Sequence, residues 1–432
     1  MRKPPILLVL CFLFALPVAA QRFVLDSVLK VHPDLVNMEA NVFKYADSSY
    51  YFKHFFRALD SVYEGKKEKV HIFHIGGSHV QADIYPNRLR TYLQSSSEFT
   101  MSQRGFVFPF LLANTNNPAN YKVTSKTRWK GMRSSQKRDS IAWGLAGISA
   151  VFKDSIDTIR VVANHKSYTK KPYYFNKLRI FYNTWNTGYS IVPLDSSTIV
   201  NSRLDNEFHY LEYVFNDSKE EFEFQVIKTD STTTEPFLMM GMELLNDEPG
   251  IEYTSIGVNG ADFPSYFRSA FFEKQLRLYK PDMFIVSMGT NDTYMPESHF
   301  DVEKFKNNYE SFIQMIQRVN PECAILLAVP NDSYYLRKQP NPNTVKAEGV
   351  ILELAEKYGM AVWDFYEIMG GFRSSQKWYQ KRIMPRDRIH FTQRGYHIKS
   401  DLLLKAFVGA WEKASNREPG SLLKIILENA HE

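Results

Sequence analysis

Val70-His71-Ile72-Phe73-His74-Ile75 runs straight into Gly76-Gly77-Ser78-His79. The first six residues are apolar or aromatic and lack proline, which predicts a short buried strand. The glycines predict a tight turn, and residues 86–93, with Pro86 in the first turn, predict a helix. Strand, turn and helix in that order put Ser78 at the C-terminal edge of a sheet, where open α/β sheets place their ligands.

The same alternation returns in the second half. Strands are predicted at 251–256, 283–288, 324–329 and 361–363, and helices at 265–279, 302–319, 344–358 and 393–411. Residues 48–64 also read as a helix, with Phe52, Phe55, Phe56, Leu59 and Tyr63 at helical spacing as a core stripe, and 421–427 as a short tail helix. Alternating strands and helices imply a parallel sheet covered on both faces, a three-layer α/β/α architecture. The stretch 105–248 differs. Strands at 157–162, 177–182, 208–215, 221–228 and 237–244, separated by polar turns, suggest an inserted β-sandwich. The expected organisation is a signal peptide (1–20), a first α/β part (21–104), the β insertion (105–248) and a second α/β part (249–432).

Of 432 residues, 44% are apolar and 15% aromatic, enough for a large core, and the net charge of +6 is spread along the chain. A solvated surface explains this better than a nucleic-acid groove, so no nucleic-acid partner is expected. Arg2 and Lys3, an apolar run at 6–16 and the small residues Val18-Ala19-Ala20 read as an export signal cleaved near Ala20, leaving no stable membrane insertion. Periplasmic or secreted localisation follows. Bulky Leu10 before Cys11 argues against lipidation. Once Cys11 is removed only Cys323 remains, so the fold must hold without an intramolecular disulfide.

Three more stretches stand out: Gly257-Val258-Asn259-Gly260, Gly289-Thr290-Asn291-Asp292 and Asp387-Arg388-Ile389-His390. A serine hydroxyl needs an adjacent base to become a nucleophile. His390 is the candidate base, and Asp387, three residues earlier, can orient its ring. The backbone N–H groups of Ser78 and Gly260 and the amide of Asn291 are candidate oxyanion donors, each worth about 3 kcal/mol in the transition state. This chemistry requires no cofactor, and the spacing of His74 and His79 gives no support for a metal site. Asp292 reads as a structural partner of loop backbone. Trp129, Trp143 and Trp185 read either as sugar-stacking rings or as core, and Arg104-Gly105-Phe106 as a possible border of the cleft.

The four blocks, in this order, resemble those of the SGNH hydrolases, the GDSL esterase family. Gly-Thr-Asn-Asp after an apolar strand, and Asp-Arg-Ile-His followed by Gly395-Tyr396 and a helix, carry most of the resemblance, which covers roughly 66–95 and 250–415. It implies a flavodoxin-like three-layer α/β/α fold, catalytic roles for Ser78, Asp387 and His390, and an oxyanion hole of Ser78, Gly260 and Asn291. Gly77 stands where the family usually has aspartate. The Ser-His pair of the first block and the Gly-Val-Asn-Gly-Ala stretch at 257–261 most resemble bacterial enzymes acting on O-acetylated cell-wall glycans, some with an inserted domain like a carbohydrate-binding module. The implied activity is O-acetyl ester hydrolysis on an acylated glycan. A polysaccharide O-acetyltransferase would use the same triad, a lipase or thioesterase is less favoured for want of an apolar lid segment, and a non-catalytic glycan-binding protein is the reading to which Gly77 points.

Overall fold

The computed structural model describes residues 23–66, 69–166 and 171–431. The expected signal peptide, with Cys11 and Ala20, lies outside them. Among the described residues no helix is long and apolar enough to cross a membrane.

A six-stranded sheet forms the centre, in the spatial order Phe43–Lys44, Ala361–Trp363, Ala324–Ala328, Met283–Ser287, Lys69–Gly76, Gly250–Gly257. All neighbours are parallel except the two-residue first strand, which pairs antiparallel with Ala361–Trp363. Both faces are covered, so the strands are buried almost throughout. Helices Tyr50–Tyr63, Tyr85–Gln94 and Gln393–Ala414 contribute to the core on one face. Helices Val302–Val319 and Asn343–Tyr358 contribute to the other. The aromatic stripe of the first helix is core, with Phe52, Phe55, Phe56 and Leu59 buried. Ser49 caps that helix by accepting from Phe52 N–H.

Between the strands Lys69–Gly76 and Gly250–Gly257 the chain forms two antiparallel sheets, of seven and four strands. Their aromatic faces meet, for example Phe215 with Phe222, ring centroids 4.9 Å apart. The core of this β domain is continuous with one face of the parallel sheet: Phe152, Phe224 and Phe237 belong to the same buried cluster as Phe73 and Phe284. Trp129 is buried, stacks on Phe152 at 4.8 Å and donates to Asp157. Trp143 is buried under the Arg268 guanidinium. Of the three tryptophans only Trp185 is exposed.

One expected element is different. The helix expected at 265–279 is two short helices, Phe263–Phe267 and Phe272–Leu276. In a continuous helix Phe271 N–H would bond four residues back, but here it donates to Trp143 C=O of the β domain at 3.2 Å. Gln275 Oε1 accepts from Leu145 N–H at 2.7 Å. The insertion therefore takes a backbone donor that the helix would have used. The β domain also holds strands beyond those expected, including Gly105–Val107, Ile148–Phe152 and Ile199–Asp205.

Candidate active site

The strand Lys69–Gly76 lies between the strands that lead to Gly260 and Asn291. Gly76 is in register with Gly257 on one side and Ser287 on the other. Three C-terminal strand ends thus stop at one level, and their loops must meet. Gly76 C=O accepts from Tyr266 O–H at 2.8 Å and from Val258 N–H at 3.2 Å, which ties the turn to the neighbouring loop. Ser78 opens a one-turn helix, Ser78–Gln81. N–H groups in a first turn have no partner within the helix, so that of Ser78 is available to a ligand.

Ser78 Oγ lies 2.8 Å from His390 Nε2. His390 Nδ1 lies 2.9 Å from Asp387 Oδ2. Asp387 Oδ1 accepts from the N–H groups of Ile389 at 2.9 Å and His390 at 3.1 Å. Burial opposes ionisation of Asp387, but these N–H groups and the His390 ring outweigh it and hold its carboxyl well below the usual range. The loop is locked from outside. Arg388, at φ +54°, lays its guanidinium 3.8 Å from the Tyr334 ring centre, and Asn331 donates to Ile389 C=O. Thr392 then caps helix Gln393–Ala414, accepting from Gly395 N–H.

Asn291 Nδ2 donates to Ala261 C=O at 2.8 Å, which spends one of its two hydrogens and fixes the direction of the other. A Cβ added at Gly77 would lie 3.0 Å from Asn291 Nδ2 and 3.6 Å from Ala261 O. The missing side chain at 77 therefore lets the Asn291 amide close against the turn. Gly260, at φ +81°, sits where a Cβ would be strained. The backbone of the neighbouring Asn259 is held at both ends: its N–H donates to Gln81 Oε1 at 2.7 Å, and its C=O accepts from Ser135 O–H at 2.9 Å.

The remaining sequence candidates fall into place around this set. His74 is buried inside the sheet, bonded to Tyr253, Ser287 and Tyr85, and burial with the nearby Lys399 charge drops its pKa to about 3. His79 is buried and bonds Tyr396 O–H at 3.0 Å. Arg104 is buried on Asp83 together with Arg90, and Ser255 O–H also donates to that carboxylate. Sequence reasoning missed this cluster and the supports of the Asn259 loop from Ser135, Gln81 and Asn116, whose Oδ1 accepts from Asn259 Nδ2 at 2.8 Å. Asn116 and Ser135 lie in the insertion, and no motif or spacing links them to the blocks they hold.

Asp292 accepts from Phe263 N–H at 3.1 Å, while its other oxygen is enclosed with no partner among the described residues. Burial pushes its pKa up to about 7, aided by the nearby Asp262 charge against the opposing Phe263 N–H. The native state thus keeps a proton that the unfolded chain releases near the ordinary value of 3.8. Its stabilising contribution is complete below about pH 4 and is lost at up to about 1.4 kcal/mol per pH unit as the pH rises to about 7. Asp292→Asn should gain on the wild type over that interval in urea unfolding and hold the difference above it. Parallel pH profiles for the two proteins would contradict this.

The GDSL-like Lipase/Acylhydrolase family model matches residues 230–398. That span holds Gly260, Asn291, Asp387 and His390. Ser78 precedes it and is joined to it through the sheet register. No curated protein sequence matches the chain. Among solved structures, a peptidoglycan O-acetylesterase is similar with TM-score 0.63 at 18% identity, over 85% of this chain and 97% of its own. A lipase/acylhydrolase from Enterococcus faecalis is similar with TM-score 0.30 at 20% identity, over 39% of this chain and 79% of its own. For the acetyl xylan esterase AlAXEase the values are 0.30, 21%, 36% and 81%. Only the first likeness is wide enough to take in the β domain, and it establishes the fold. Residues 230–398 thus match the GDSL-like Lipase/Acylhydrolase family model, within a fold that 85% of the chain shares with a peptidoglycan O-acetylesterase.

Proposed function

We propose that the protein is an exported serine esterase that removes O-acyl groups, acetyl in the first place, from a polysaccharide or peptidoglycan. The observation that carries this reading is the unbroken hydrogen-bond chain Ser78–His390–Asp387. Ser78 Oγ attacks the ester carbonyl while His390 Nε2 takes its proton. Asp387 holds the ring and stabilises its cation. The oxyanion is received by the N–H groups of Ser78 and Gly260 and the second N–H of Asn291. His390 returns the proton to the leaving sugar oxygen. Water, activated by the same ring, then cleaves the acyl-enzyme and frees Ser78. The likeness to a peptidoglycan O-acetylesterase supports an acetylated cell-wall glycan as substrate, and the leader sequence supports export. Acetate release from O-acetylated peptidoglycan and from acetylated xylan tests the substrate class. Release from neither would overturn it.

The turn that presents Ser78 gives a second test. A Cβ at Gly257 would lie 2.2 Å from Gln81 N and 2.6 Å from Gly77 O, both backbone atoms of the nucleophile turn. Gly257→Ala must shift the Ser78 helix, and a displacement of about 1 Å costs on the order of 100-fold in rate. Gly409→Ala, with nothing within 4 Å of the new carbon, should keep full activity. Equal turnover by the two variants would contradict the role of the close contact.

A further inference from the structure

Beside the triad lies a cleft of about 420 Å³ between the α/β layers and the β domain, within the roughly 300–1,000 Å³ typical of ligand sites. One wall holds Ala82, the residue that closes the Ser78 helix, and Gln393, three residues beyond His390. At 1.5 Å rise per residue Ala82 is only about 6 Å along the helix from Ser78. The opposite wall comes from the insertion, with Asn116, Asn117 and Ala119. Asn116 joins the walls: its Oδ1 accepts from Gln81 Nε2 at 2.9 Å and from Asn259 Nδ2 at 2.8 Å. That leaves the Asn116 amide hydrogens without a protein acceptor among the described residues.

The chemistry of the lining narrows the ligand. Its one acid, Asp83, is already engaged by Arg90, Arg104, Asn120 and Ser255. Arg88 is paired with Asp401. Burial and the nearby Arg88 charge bring the His397 ring down to a pKa of about 4, so it is a neutral donor and acceptor. With Asn116 and exposed Gln393 it offers uncharged hydrogen-bonding groups, and Lys166 adds one solvent-exposed cation. The lining has no Phe, Tyr or Trp on which a ring could stack. Such a surface suits the hydroxyl and amide edges of a sugar.

We propose that this cleft is the subsite for the glycan unit next to the acylated one, a hydroxyl- and amide-bearing sugar gripped by both the hydrolase layers and the insertion. This rests on the ester-hydrolase reading of Ser78, so binding and turnover are measured separately. Partially O-acetylated chitotetraose is titrated by calorimetry into the full chain carrying Ser78→Ala, which binds without turnover. Adding Ala119→Trp, which fills the cleft, should raise Kd at least tenfold. Adding Gln393→Ala, a surface change safe for the fold, should raise it at least threefold. No binding to the Ser78→Ala protein, or less than threefold change in both folded double variants, would overturn the subsite. Turnover of a small chromogenic acetate by wild type against Ser78→Ala reports on the esterase reading alone. Its failure, with cleft-dependent binding retained, would leave a glycan-binding site and remove the hydrolysis.

Discussion

Ser78→Ala is expected to reduce turnover of a chromogenic acetate ester on the order of 10⁴-fold or more, since a nucleophile acts as a unit with its base. The loss should fall on kcat, because the proposed oxyanion donors and the proposed binding surface stay in place. Stability should hardly change: among the described residues the Ser78 side chain makes one hydrogen bond, to His390, at a partly exposed position. The net worth of such a bond is about 1 kcal/mol. A folded Ser78→Ala protein with undiminished turnover would remove Ser78 from the chemistry.

Asp387→Asn is expected to cost on the order of 10⁴-fold in kcat, for a different reason. The carboxylate has two roles: Oδ1 takes the Ile389 and His390 N–H groups, and Oδ2 takes the ring. An asparagine keeps the first role with its oxygen and so turns its NH₂ toward His390 Nδ1. The ring must then carry its proton on Nε2, where it cannot accept one from Ser78. Folding should survive, because the backbone bonds are kept. The pH series separates this from a structural role. Asp387 is held below the ordinary carboxylate pKa, so it stabilises the native state above about pH 4, and that contribution fades as the pH falls. The variant should lose activity at all pH values and acid sensitivity of folding at low pH. Wild-type activity in Asp387→Asn would show that the ring is oriented by something else.

Much of the α/β part is legible because its strands are continuous apolar runs and its helices carry apolar stripes. Met283–Ser287 and Val302–Val319 follow from pattern alone. The helix expected at 265–279 fails because Trp143, more than a hundred residues earlier, captures the Phe271 N–H. Strands such as Ile199–Asp205, exposed along most of its length, carry little apolar signal and are set by pairing with Tyr210–Lys219.

The sequence by itself determined which residues could carry the proposed chemistry. A serine after a glycine turn, an asparagine after an apolar strand and an Asp-x-x-His before a capped helix are local patterns, and each folds by short-range rules. The tertiary structure decided what surrounds that chemistry. Sheet register aligns Gly257, Gly76 and Ser287 so that the loops can meet, and the insertion's Ser135 and Asn116 hold the Asn259 loop. Those contacts join residues 124 and 143 positions apart. No local propensity encodes such pairings. They exist only because the β domain shares one core with the parallel sheet and is therefore pressed against the site.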